Sequence, residues 1–327
     1  MSMMQMLLGA GGAAGLKVED VFSTDLYSGD GSTQSITNGI DLAGEGGLVW
    51  VKARSNTFDN ALFDTERGAT YRLTSNAEGN SSAESTALTA FNSNGWTTGG
   101  SAYTNYSSTT YASWTFRKAE KFFDIVTWTG DGTDDRAINH NLGCVPGMIL
   151  VKKTDGDGQY WAAYHVAAGA THYMKLNDNM AAYDHSTFWW DTAPTSTQFT
   201  VGGTTSVNHN GGSHIAYLFA NDEDFIKCGS YTGNNSTDGP TVNVGFEPQW
   251  LLVKGIDYAG GWAIQDTERG INVSSPPRLE ANSNMADFST ADNNIQLSST
   301  GFQIKGTGGT YNDNGITYGY VAIKKPD

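Results

Sequence analysis

Two copies of one five-residue string hold the residues best suited to chemistry: Asp64-Thr65-Glu66-Arg67-Gly68 and, 202 residues later, Asp266-Thr267-Glu268-Arg269-Gly270. Two carboxylates beside a guanidinium have the composition of a glycosidase acid and nucleophile, which must flank a scissile glycosidic bond. The middle of the chain argues against that use. There the aligned stretch reads His165-Val166-Ala167-Ala168-Gly169, so only the glycine is common to all three. Catalytic sites are rarely duplicated in cis while a third copy is erased. A turn explains more: Asp and Thr cap backbone groups, Arg pairs with a carboxylate, and Gly takes a positive φ. No catalytic residue is assigned, and Asp64, Glu66, Asp266 and Glu268 are the only systematic carboxylates an enzyme reading has.

Other chemistry finds less support. The six histidines, His140, His165, His172, His185, His209 and His214, are irregularly spaced, which favours surface or turn positions over a zinc site. Asp155-Gly156-Asp157-Gly158 reads as a turn, because a calcium loop needs a distal bidentate carboxylate at fixed spacing. No nucleophile elbow, phosphate loop or His-Glu-x-x-His helix occurs. Cys144 and Cys228 read as small buried residues. No metal or cofactor is expected. Tyr160, Trp161, Trp189 and Trp190 make one region unusually aromatic; core packing is the first reading, and if exposed these four are the candidate glycan contacts.

The elements that carry these residues come in threes. Leu48-Val49-Trp50-Val51-Lys52 recurs as Met148-Ile149-Leu150-Val151-Lys152 and Trp250-Leu251-Leu252-Val253-Lys254, the lysines 100 and 102 residues apart. Each copy opens on an aromatic and a polar turn (Tyr27-Ser28-Gly29-Asp30-Gly31, Trp128-Thr129-Gly130-Asp131-Gly132, Tyr231-Thr232-Gly233-Asn234-Asn235) and closes on an apolar strand. Landmarks in constant order at constant spacing mark a triplication of a unit about the size of a small β-sandwich. Forty glycines against seven prolines suit short strands and tight turns. The expected fold is all-β: three tandem β-sandwich-like modules at 21–120, 121–224 and 225–327, with no long helix.

In the first module alternation predicts strands over Gln34 to Ile40, Gly47 to Ala53, Asn60 to Asp64, Tyr71 to Thr74, Trp96 to Thr98 and Ala112 to Arg117, with Ser75 to Thr89 an exposed loop and a candidate contact surface. Residues 1–20 differ: Met3, Met4, Met6, Leu7 and Leu8 precede a Gly/Ala run, too short for a membrane span and without the basic start of a secretory signal. They read as a frayed terminus or as an anchor that docks in a partner protein. With 34 acidic against 19 basic residues and a formal charge of −15, a nucleic-acid partner is not expected.

Several stretches resemble a known family. Tyr27 to Thr33 with Ile36 to Leu42, Leu48 to Lys52, Phe63 to Gly68, Leu88 to Gly95, His140-Asn141-Leu142-Gly143 with Val145 to Lys152, and Ala193 to Thr197 look like the repeated β-domain of virion proteins from tailed bacteriophages, especially marine and cyanobacterial ones. The resemblance spans nearly everything after Val21. It implies a structural virion protein, most simply a tail fibre, spike or fibre adaptor attached through its N-terminus. Its partners would be other virion proteins and a host surface glycan or receptor, and its state a homo-oligomer, a trimer by analogy with tail appendages. A capsid or neck decoration protein is an alternative, as is a carbohydrate-binding module or polysaccharide-degrading enzyme. No catalytic residues carry over. The chain lacks coiled-coil heptads and collagen or β-helix repeats, which implies a compact appendage rather than a fibrous shaft.

Overall fold

The structure is a computed structural model and describes residues 15–327. The proposed anchor residues Met3, Met4, Met6, Leu7 and Leu8 lie outside the described residues.

Strands dominate, and the described helices are single turns of three or four residues. The first module contains β1 (Phe22–Ser28), β2 (Gln34–Thr37), β3 (Gly47–Ala53), β4 (Ala61–Asp64), β5 (Tyr71–Thr74), β6 (Ser82–Ala83), β7 (Leu88–Asn92), β8 (Gly95–Thr98) and β9 (Thr110–Arg117). The second has β10 (Phe123–Thr129), β11 (Arg136–Asn139), β12 (Pro146–Lys153), β13 (Ala162–His165), β14 (His172–Lys175), β15 (Tyr183–Asp184), β16 (Gln198–Val201) and β17 (Ser213–Ala220). The third has β18 (Ile226–Thr232), β19 (Thr241–Asn243), β20 (Pro248–Gly255), β21 (Ala263–Asp266), β22 (Pro277–Glu280), β23 (Phe288–Ser289), β24 (Ile295–Ser298), β25 (Gly301–Ile304) and β26 (Thr317–Lys324). Each module forms a six-stranded antiparallel sheet, ordered β1-β9-β3-β4-β5-β6 in the first and equivalently in the others, faced by a small sheet of two or three strands.

The repeated apolar run is the middle of this sheet. β3, β12 and β20 are buried at every residue, because the large sheet is covered on both faces. Alternation sorts the faces. Val49, Val51, Ala61, Phe63 and Tyr111 pack inside the first sandwich. Their neighbours Leu48, Trp50, Leu62, Trp114 and Phe116 point the other way, into a core that also holds Met148, Leu150, Tyr217 and Phe219 of the second module and Trp250, Leu252, Ile264 and Val321 of the third. The largest core is therefore common property of three modules rather than three separate modest cores.

Equivalent hydrogen bonds close the modules into a ring. Ser81 N donates to Thr154 O, Ala182 N to Ile256 O and Asp287 N to Arg54 O, at 3.0, 2.6 and 2.8 Å. These residues occupy matching register positions, so the first module grips the second, the second the third and the third the first. A second set crosses the same three junctions with donor and acceptor modules exchanged. Trp161 Nε1 donates to Thr74 O and Trp262 Nε1 to Lys175 O, each at 2.9 Å, while Asn60 Nδ2 at the matching position donates to Glu280 O at 3.1 Å. Head-to-tail contacts that return to their start define pseudo-threefold symmetry within one chain.

The segment from Ser75 to Thr89 is part of this closure as well as partly exposed: Glu78, Gly79, Ser82, Ala83, Ser85 and Thr86 face out as expected, but the segment is anchored on the next module. Ser75, Ala87 and Leu88 are buried, Ser81 pairs with Thr154, and Glu78 O accepts from Lys152 Nζ at 3.1 Å. Strands β1, β6 and β7 escape the alternation reading of the first module; the exposed positions of β1 are mixed, β6 is only two residues long and β7 carries a register shift between Leu88 and Ala90.

Candidate functional site

The Asp-Thr-Glu-Arg-Gly turns are built as capped turns. Asp64 Oδ1 accepts from Arg67 N at 2.9 Å and Oδ2 from Arg67 Nε at 2.6 Å. Thr65 Oγ1 accepts from Gly47 N at 3.0 Å. Gly68, Gly169 and Gly270 all have φ between 74° and 88°, the left-handed conformation that explains why glycine alone survives in three copies. Each turn also reaches the next module. Asp64 Oδ2 accepts from Tyr217 Oη at 2.7 Å, and Asp266 Oδ2 from Trp114 Nε1 at 3.0 Å. Arg269 extends the second pair to Asp287 at 2.9 Å, which meets Arg54 at 2.6 Å. Burial, then the adjacent Asp64 carboxylate, raises the Tyr217 phenol well above its usual range, so it stays a donor. Asp64 and Asp266 are fully buried and their oxygens committed; neither is placed as an acid or nucleophile that a glycan could reach.

The signature lysines are a second set of interior groups. Lys52 Nζ donates to Ala53 O and to Asn284 O of the third module; Lys152 Nζ donates to Lys153 O, Gln159 O and Glu78 O of the first. Lys254 Nζ binds Gly255 O and Tyr258 O, both of its own module. Burial pulls all three ammonium groups down to about 8, and the carbonyls around them favour the charged form at neutral pH.

Three histidines are interior groups and not surface ones, although His165 does open the turn at 165–169 as a turn position would. His140, His165 and His214 are buried. Each uses one ring nitrogen as acceptor from a backbone N–H and faces a carbonyl with the other, a pairing that only the neutral ring satisfies. Burial lowers all three, His165 and His214 to about 4. Of the cysteines, Cys228 is buried as expected but Cys144 is only half-buried.

A repeated asparagine went unnoticed in the sequence. Asn105, Asn208 and Asn312 are wholly buried, and the Oδ1 of each accepts from the backbone N–H of Asp30, Asp131 or Asn234 in the opening turn. Their amide groups donate back to the same turns. The signal was present as one asparagine per repeat, but its partners lie 73 to 78 residues away. With Thr133 and Asn208 also donating to it, Asp131 is lowered to about 2. The carboxylates of these turns hold backbone, and among the described residues no three His, Cys, Asp or Glu converge as a metal site would require.

The four candidate glycan contacts separate. Trp161 is wholly buried at the junction of the first two modules, and Trp189 is 2% exposed, packed edge-on against Tyr164 at 5.9 Å. Neither offers a ring face to a sugar; both are core. Tyr160 and Trp190 are half-buried. Tyr160 belongs to an aromatic group with Tyr173, Phe188, Tyr183 and His185: Tyr173 stacks on Phe188 at 3.6 Å, and Tyr183, 56% exposed, meets Tyr173 edge-on at 6.2 Å. Lys175 Nζ lies 4.0 Å from the Tyr160 ring centroid. The other modules carry Arg72 and Arg278 at the position of Tyr173, each guanidinium over an aromatic ring. An aromatic surface of this kind is thus particular to the second module.

A family model matches residues 17–326, which is nearly the whole described chain. The chain belongs to the family described as Domain of unknown function (DUF7483). The match runs through all three modules. No curated protein and no solved structure matches the chain.

Proposed function

We propose that this member of the family is a non-enzymatic structural protein of a tailed-phage virion, a tail fibre, spike or fibre-adaptor component. The observation that carries this reading is the closed ring: Asp64, Asp266, Lys52 and Lys152, all from motifs that recur with the repeat, bond to a neighbouring module, as the parts of a scaffold would. The resemblance of its repeat motifs to phage virion β-domains points the same way. In this reading residues 1–20 attach the protein to the particle and the ring faces outward, with Tyr160, Tyr183 and Trp190 of the second module as the glycan-contacting surface. Sugar rings stack on partly exposed tyrosine and tryptophan faces, and Lys175 adds a cation beside them. One chain already places three modules around an axis; a trimer of chains would show as three chain masses in light scattering, and a single chain mass would set the trimer aside.

The reading is tested by comparing the full chain with a chain starting at Leu16 for binding to susceptible cells and to particles lacking the protein. Binding of the shortened chain to cells but not to particles is the expected result. Tyr183→Ala, an exposed change expected to leave stability within about 0.5 kcal/mol, should then weaken cell binding at least several-fold. Binding to particles by both chains and to cells by neither would replace the adsorption role with that of a decoration protein. Release of new reducing ends from envelope glycans would replace the structural reading with an enzymatic one.

A further inference from the structure

The three junctions of the ring are equivalent in backbone and unequal in chemistry. Two are tied by a buried carboxylate–guanidinium turn that takes a hydrogen bond from the next module, Asp64–Arg67 from Tyr217 and Asp266–Arg269 from Trp114. At the junction of the second and third modules the same positions hold His165 and Ala168. His165 Nε2 donates to Tyr320 O of the third module at 3.0 Å, and Nδ1 accepts from Ala167 N at 3.1 Å. The lysine tie is weaker there as well. Lys52 and Lys152 each donate across their junctions, whereas both carbonyls bound by Lys254 belong to its own module.

A gap too narrow for a water molecule lies between the two modules, walled by Met148, Met174, Leu252 and Trp262, with His165 and Lys254 on its lining. The titratable groups facing it are His165 from β13, Lys254 from β20 and Tyr320 from β26; Asp178 acts on Lys254 but does not line the gap. No carboxylate lines it among the described residues.

We propose that the ring has one acid-sensitive seam, between the second and third modules, and that protonation of His165 opens it while the other two junctions hold. The neutral ring is the form the closed seam accommodates. A second proton on Nδ1 would face the Ala167 N–H that now donates to it, beside a gap that admits no water and is lined by no carboxylate that could compensate the charge. Opening the seam solvates the imidazole and removes the conflict.

The sign follows from linkage. Burial lowers the closed-state imidazole to about 4, and an exposed histidine titrates near 6.5. The open state therefore binds more protons over this interval. The closed seam keeps its full stability above about pH 6.5 and loses it progressively as pH falls towards 4. Between pH 7.5 and 5 the open-to-closed ratio should rise about 30-fold.

Hydrogen exchange of the full chain at pH 7.5 and 5, corrected for the intrinsic pH dependence, tests this. Exchange in β13 and β26 and at the Ala182–Ile256 bond is expected to rise on acidification, with the equivalent bonds Ser81–Thr154 and Asp287–Arg54 unchanged. His165→Gln removes the titration while keeping a neutral donor and should abolish the rise. Grafting the turn of the other modules, His165→Asp with Ala168→Arg, serves as a second variant that also lacks the imidazole. His140 and His214, whose hydrogen-bond partners lie within the second module, remain in both variants as internal controls. A rise that persists in His165→Gln, or one spread equally over the three junctions, would overturn the proposal, as would no rise in the unmodified chain.

Discussion

Arg269→Met is expected to destabilise the protein by about 3–5 kcal/mol, read as a fall in the urea midpoint with little change in slope. The guanidinium is 1% exposed and ties together Asp266, Asp287 and the carbonyl of Ile264. Removing it leaves the Asp266 carboxylate buried with Trp114 Nε1 as its remaining side-chain partner. An uncompensated buried charge is what makes the loss large, since the net worth of an intact buried pair is small. Adding Asp266→Asn to the same chain should therefore recover part of the loss. Two effects that simply add, or a single change below about 1 kcal/mol, would show that Asp266 is better solvated than its geometry implies.

The second large effect concerns a swap between neighbouring strands. The second and third modules carry Leu150 with Trp161 and Leu252 with Trp262; the first carries Trp50 with Asn60 at the matching positions. Trp50 Nε1 donates to Asn60 Oδ1 at 3.0 Å, and Asn60 passes the contact on to Glu280 O and Ser283 O. The indole of this junction thus comes from β3 instead of from the start of β4. Trp50→Leu alone leaves a cavity and an unpaired amide oxygen and should cost about 3–5 kcal/mol. Asn60→Trp alone forces a second indole beside the first and should cost about 1–3 kcal/mol or more. The double change rebuilds the pair found in the other modules, and a favourable coupling of about 2–3 kcal/mol is expected in a double-mutant cycle by urea unfolding. Additive losses would mean that the first junction has diverged beyond this pair.

Much of the fold was legible because its strongest signals are local or recur. The apolar runs ending at Lys52, Lys152 and Lys254 marked the central strands, and β3 and β5 match their expected bounds. The glycine shared by the three turns at 68, 169 and 270 identified the turn chemistry, because positive φ is a property of one residue. The candidate site was less legible. Core packing is the first reading of Trp161 and Trp189 and both are buried, but the same reading missed that Tyr160 and Trp190 stay half-exposed, since composition states what a ring is and not what covers it. His165 looked like the erased copy of a motif, although its position opposite Tyr320 makes it the distinguishing feature of its junction.

By itself the sequence determined the all-β class, the threefold repeat, the central strands and the structural character of the Asp-Thr-Glu-Arg-Gly turns. Those follow from periodicity and from conformational preferences that act over a few residues. Only the tertiary structure decided that the repeats close into a ring, that the lysines and one face of every large sheet turn towards a shared core, and that the segment after Ser75 is a junction. A strand buried on both faces reads as one continuous apolar run, whichever surface covers it. The identity of the covering surface depends on how segments tens to hundreds of residues apart pack together, which no local pattern records.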